Sequence, residues 1–267
     1  MNFIHISLMI AVIAYASSSA CYLHAFPDIK NRDIFRKVGW GLFQVATLLM
    51  SITLILVPEY GFYNKTSGLI LITSMSWVNI FCNYFLNLRM MATFVAPLST
   101  FILLFLFFSV QGEGHYQSEP PTMIAGIHIA TAILGQTFSI CACAISALYL
   151  FQQRALKRKN FSFLTNATPT MEKLDAFLAS TLWIGFAFIT LALITGAIYT
   201  LFFAPHFLKT HEWKIIWSLA VWSWYLITLL GRNIFSLSTK KIAKMSLVGF
   251  VIMSISAFGL ISWRANL

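Results

Sequence analysis

Long apolar stretches alternate with short polar ones along the whole chain. Eight stand out, at residues 3–23, 38–58, 68–88, 92–110, 123–150, 176–201, 213–232 and 245–263. A helix of about 20 apolar residues, rising roughly 1.5 Å per residue, crosses a hydrocarbon layer of roughly 30 Å, so each stretch predicts one membrane span. The fifth and sixth are long enough to tilt or to run past the membrane. The pattern predicts an all-α, polytopic membrane protein with eight transmembrane helices, forming one membrane domain over residues 1–267. The longest interruption, QQRALKRKNFSFLTNATPTMEKLD at 152–175, connects the two halves. Its RALKRK segment consists of helix formers and extends the fifth helix. Thr170 and Lys173, followed by LDAFLAS, mark a helix start just before the sixth span. Pro97 falls inside the fourth span, where it predicts a kink, and Pro121 stands near the start of the fifth, where its missing donor costs nothing. No internal repeat is visible in the residues.

Composition agrees with this reading. The chain is 59% hydrophobic and 10% charged, against about 45–50% and about 25% in soluble domains. The net charge of +10 is distributed by loop. The connections at 24–37, 89–91, 151–175 and 232–244 carry fourteen Lys and Arg, and the opposite side carries Lys65, Lys209, Lys214 and Arg264. Basic loops face the cytoplasm, so both termini are expected on the non-cytoplasmic side. This distribution writes membrane topology and argues against nucleic-acid binding. No Lys or Arg precedes the first apolar run, which therefore reads as a retained helix rather than a secretion signal. Cys21, Cys82, Cys141 and Cys143 are expected to pack in the core. The last two are spaced to point to nearly opposite sides of one helix, which suits neither a disulfide nor a shared metal.

Phosphate-binding loops, HExxH and a defensible Ser-His-Asp set are absent, so the chain is not expected to be an enzyme. The chemistry-bearing intramembrane residue is His128, in MIAGIHIATAILGQTF, roughly 9 Å below the start of the fifth span. Ionisable groups at that depth are costly and often functional, although a histidine hydrogen-bonded between helices is the plainer alternative. Gln136, two turns later, is expected to be an interhelical hydrogen-bond partner. The stretch HEWKIIWSLAVWSWYLITLLGR at 211–232, which contains the seventh span, holds four of the eight tryptophans. At about 100° per residue, Trp213, Trp217 and Trp224 share a sector of roughly 40°, and Trp222 points the other way, to lipid or another helix. An interfacial aromatic belt explains Trp213 and reaches Trp217. Trp224 is too deep for it and is either helix-packing bulk or part of a wall for a large planar ligand. His206 and His211, in the preceding loop, are outer-face candidate ligands.

Three stretches resemble the cytochrome c assembly membrane proteins of the CcsA/HemX/YpjD type. They are GIHIATAILGQTFSICACAISALYLFQQRALKRK (126–159), LDAFLASTLWIGFAFITLALITGAIYT (174–200) and the Trp-rich span with Gly231-Arg232 at its end. The resemblance is best over about 120–235. It implies a protein of the bacterial inner (cytoplasmic) membrane that binds, presents or senses haem. His128 would be the first candidate iron ligand, His211 and His206 further ones, and Trp213, Trp217 and Trp224 the wall. Implied partners are membrane lipid and cytochrome c assembly components or a haem-synthesis enzyme. The chain departs from the family in lacking its WGxxWxWD segment. That lack places the chain nearest the HemX/YpjD-like branch, while Leu230 and Asn233 stand where the cytochrome c branch and the YpjD-like branch, respectively, carry a membrane histidine. The alternative is a non-catalytic scaffold or regulator that does not bind haem and uses the basic segment at 152–159 to contact a partner or anionic lipid.

Overall fold

The structure, a computed structural model, describes residues 3–24, 32–56, 63–86, 92–108, 123–159, 169–203 and 212–262. The described residues form eight helices and no strand: α1 (Phe3–His24), α2 (Arg32–Leu56), α3 (Tyr63–Leu86), α4 (Ala92–Phe108), α5 (Met123–Lys157), α6 (Met171–Phe202), α7 (Glu212–Asn233) and α8 (Thr239–Ser262). Each coincides with one apolar stretch. Several start earlier than the apolar run does, as in α2, α6 and α8, because polar residues can continue a helix beyond the part that must be apolar. Five of the helices have described stretches long and apolar enough to cross a membrane: Ile6–His24, Asp33–Leu56, Met123–Lys157, Met171–Phe202 and Glu212–Asn233. The chain is therefore a multi-pass membrane protein.

Local chemistry sets the helix ends. Thr170, in extended conformation, accepts a hydrogen bond from the backbone N–H of Lys173 at 3.3 Å, with Glu172 in the first turn of α6. This is the capped start that the sequence predicts, satisfying one of the orphan donors of a helix N-terminus. α5 has 35 residues, about 52 Å at 1.5 Å per residue, and its polar end carries Arg154 and Lys157 beside the negative pole of the helix. Lys159 closes it with a left-handed φ of 54°, its N–H bonding the Leu156 carbonyl at 3.1 Å. α7 and α8 are joined by a tight turn. Ser236 is left-handed there (φ 46°), and the Leu237 N–H returns to the Gly231 carbonyl at 3.0 Å. Pro97 lies within α4.

The helices group into two compact units, Met1–Glu113 and Gly114–Leu267. In the first, α1 packs on α2, α2 on α3, α3 on α4, and α4 back on α1. In the second, α5, α6, α7 and α8 close a ring in the same order. The sequence shows no repeat, yet the pairing scheme is shared. Each unit also has a buried hydrogen bond from its first helix to its third: Tyr15 to Ser76 at 2.8 Å in the first, and Ser139 to Tyr225 in the second. Thr47 of α2 joins the first of these at 3.3 Å. In apolar surroundings such groups must find partners within the protein.

The core of the second unit follows helical spacing. Leu174, Leu178, Leu182, Ile189 and Ala192 form one buried stripe on α6, three or four residues apart except where Gly185 continues it. α5 presents Ile133, Gly135, Ile140, Ile145 and Leu148. A Cβ added to Gly135 would lie 2.8 Å from Ile189 Cγ1 and 3.2 Å from the Ile189 nitrogen, so the absent side chain is what lets α5 and α6 come together here. Cys82 and Cys141 are buried and Cys21 and Cys143 half-buried within the helix packing. Gln136 finds no interhelical partner among the described residues. Gln152, near the other end of α5, instead donates to the carbonyl of Pro169, just ahead of α6, at 3.0 Å.

Candidate functional site

His128 lies in the second turn of α5, with its ring against α6. Nδ1 is 2.8 Å from the carbonyl oxygen of Ala192. A carbonyl can only accept, so Nδ1 carries the proton, and in the neutral ring Nε2 keeps its lone pair. The carbonyl is accessible for a simple reason. The helical residue one turn beyond Ala192 is Gly196, and a Cβ there would lie 2.8 Å from His128 Cε1 and 2.9 Å from Nδ1. Any other residue would push the imidazole off its acceptor. Thr195 Oγ1 also donates to the Ala192 oxygen, at 3.2 Å. The ring is half-buried and oriented from behind by backbone, the arrangement by which ligating histidines are commonly fixed in one tautomer. His128 is thus both the interhelical hydrogen-bond donor of the plainer reading and a residue able to ligate through Nε2.

The tryptophans separate by partner. Trp213 is exposed, and its ring stands 6.4 Å from that of Trp217, tilted by 40°. Trp217 is half-buried and its Nε1–H has no acceptor among the described residues. Trp224 donates from Nε1 to the Met245 carbonyl at 2.9 Å and lies over Gly249, where a Cβ would meet its Cδ1 at 2.9 Å. It packs into the seam with α8. Trp222 points away from them toward a helix: it donates to Thr190 Oγ1 at 3.0 Å and stacks on Phe186 at 5.7 Å, both on α6. Trp213 and Trp217 therefore come together, and Trp224 is engaged separately. None of them makes ring contact with His128 among the described residues. His206 and His211 lie outside the described residues. Leu230 and Asn233 are exposed near the end of α7.

A polar cluster that sequence reasoning missed ties three helices together at the other end of the second unit. Arg232 of α7 grips Asp175 of α6 with both terminal nitrogens, at 2.7 and 2.9 Å. Thr239, the first residue of α8, donates to the same carboxylate at 2.8 Å. A two-pronged Arg–carboxylate pair fixes geometry as well as charge. Its members are 57 and 64 residues apart in the chain, and no spacing rule links them. The available signal was one acidic residue at the edge of one span and one Arg ending another. Gly196, which makes room for His128, was visible only as one residue of the 174–200 stretch that carries the family resemblance.

The chain matches the family described as cytochrome c assembly protein over residues 61–267. It belongs to that family. The match takes in α3 and α4 as well as the 120–235 region that carries the resemblance by residue pattern. The chain is also similar to the cytochrome c biogenesis protein CcsA of Guillardia theta, at 26% identity over 291 residues, covering 97% of this chain and 91% of that protein. No solved structure matches.

Proposed function

We propose that this protein is a haem-handling component of cytochrome c biogenesis, with His128 Nε2 as an iron ligand. Family membership supports the biogenesis role. The observation that carries the haem assignment is the His128 hydrogen bond to Ala192, because it commits Nδ1 as the donor and leaves Nε2 as the nitrogen with which a neutral ring can ligate. The residues present fit the group: a neutral imidazole, half-buried among apolar neighbours, is a common axial ligand. Haem would bring an iron that takes nitrogen ligands and a flat macrocycle that needs shielding from water. For that macrocycle, α5 and α6 supply the oriented histidine, and exposed Trp213 with half-buried Trp217 supplies aromatic surface near the start of α7. In this reading all eight helices span a bacterial inner membrane, with both termini and the first turns of α5 and α7 on the non-cytoplasmic side. His206 and His211 follow as ligands from the adjoining loop. The protein binds and presents haem and performs no bond chemistry itself.

The test is an absorption spectrum of the detergent-purified protein with and without added haem. A Soret band that weakens in His128→Ala supports the assignment. Protein that neither carries haem nor takes it up would overturn it.

A second reading is a scaffold without haem, favoured by the charge at the other end of the second unit. Arg154, Lys157, Arg158, Lys173, Lys240 and Lys241 are all exposed there, and Asp175 is occupied by Arg232. Such a face suits an anionic partner surface, a haem-synthesis enzyme or lipid headgroups among them. Changing Arg154, Lys157 and Arg158 to Glu disturbs this role and leaves a haem spectrum unaltered.

A further inference from the structure

In the first unit, the Asn79 side chain is fully buried, and neither its nitrogen nor its oxygen has a hydrogen-bond partner among the described residues. The Ser99 hydroxyl is in the same state. These are two independent orphans, and helix geometry brings them to one level. Asn79 is seven residues before Leu86, the end of α3, and Ser99 is seven residues after Ala92, the start of α4. The two helices pack on each other across a short connection, so they run antiparallel. At about 1.5 Å per residue both residues stand roughly 10 Å from that connection, and both are fully buried within the first unit. A carboxamide offers two donors and an acceptor, and leaving it unmet in an apolar core is expensive.

The second unit shows that its ring of helices needs no amide at this register. Asn79 is the residue three after Ser76, which holds the bond to Tyr15, and its counterpart three after Tyr225 is Thr228. Thr228 is satisfied locally, donating to the Trp224 carbonyl of its own helix at 2.8 Å. Asn cannot close such a short loop as readily, and Asn79 has not done so. Its burial is unexplained unless something polar meets it.

We infer that Asn79 and Ser99 together bind an internal water molecule that bridges α3 and α4. The site supplies Asn79 Nδ2, Asn79 Oδ1 and Ser99 Oγ, which matches the roughly three hydrogen bonds a buried water makes. The water satisfies both orphans at once and ties the hairpin together at that level.

The test uses the full-length protein in lipid bilayers. Solid-state NMR with ¹⁵N-labelled Asn reads transfer from water protons to the Asn79 carboxamide, assigned by its disappearance in Asn79→Leu. The expected result is a clear water cross-peak in the wild type, weakened at least twofold in Ser99→Ala. A missing cross-peak overturns the site, as does one that Ser99→Ala leaves unchanged, or a contact to an organic ligand. Thermal melting gives a second arm. If one water is shared, Asn79→Leu with Ser99→Ala lowers the midpoint by less than the sum of the single changes, and strict additivity overturns the bridge.

Discussion

The imidazole of His128 reaches the carbonyl of Ala192 across the α5–α6 seam, at 2.8 Å, over the bare Cα of Gly196. This contact is what turns a lone membrane histidine into an oriented one. Gly196→Ala is expected to displace the ring, since the new Cβ would lie inside contact distance of two ring atoms. Haem retained by the purified protein should fall as it does in His128→Ala, with the helical circular dichroism preserved. A Gly196→Ala protein with wild-type haem content and spectrum would show that the orientation is irrelevant to binding.

Gly135 and Gly126 both lie on α5 and should behave differently. Gly135→Ala forces a Cβ against Ile189, backbone nitrogen included, whereas a Cβ at Gly126 meets nothing within 4 Å. Overpacking of this kind costs about 1–3 kcal/mol. Thermal denaturation in detergent should show Gly135→Ala clearly destabilised and Gly126→Ala unchanged or slightly more stable, since Ala is the better helix former.

The tryptophans of α7 divide the same way. Trp222→Phe and Trp224→Phe each remove a donor from an interhelical hydrogen bond and leave an acceptor behind, at a cost on the order of 1 kcal/mol. Trp213, 68% exposed, should tolerate Phe with little change in midpoint. Equal losses at all three positions would contradict the division by partner.

Asp175 and Arg232 should be coupled. Asp175→Asn removes the acceptor charge for Arg232 and weakens the bond from Thr239. The pair is about a quarter to a third exposed, so its coupling is expected nearer 1 kcal/mol than the several of a deeply buried pair. A double-mutant cycle with Arg232→Gln, read by thermal midpoints, measures it. Additive changes would mean that the contact holds no free energy.

Much of the architecture was legible because membrane spans must be long and apolar. The eight helices, the extension of α5 through RALK and the capped start of α6 at Thr170 all follow from rules that act within a few residues. Helical phase likewise separated Trp222 from the other tryptophans of α7. The site was less legible. His128 could be singled out by its depth in an apolar run, but its tautomer depends on Ala192 and Gly196, 64 and 68 positions away.

The sequence by itself determined the class of protein, the placement of its helices and the residues worth suspecting, since hydrophobic length and local capping are properties of neighbouring residues. The tertiary structure alone decided which polar groups find each other. It took Trp224 to Met245, Asp175 to Arg232 and His128 to Ala192, and left Asn79 and Ser99 buried without a partner among the described residues. The physical reason is that helix pairing in an apolar medium depends on where small residues let backbones approach and where buried hydrogen-bonding groups are satisfied. Both are settled between segments distant in the chain.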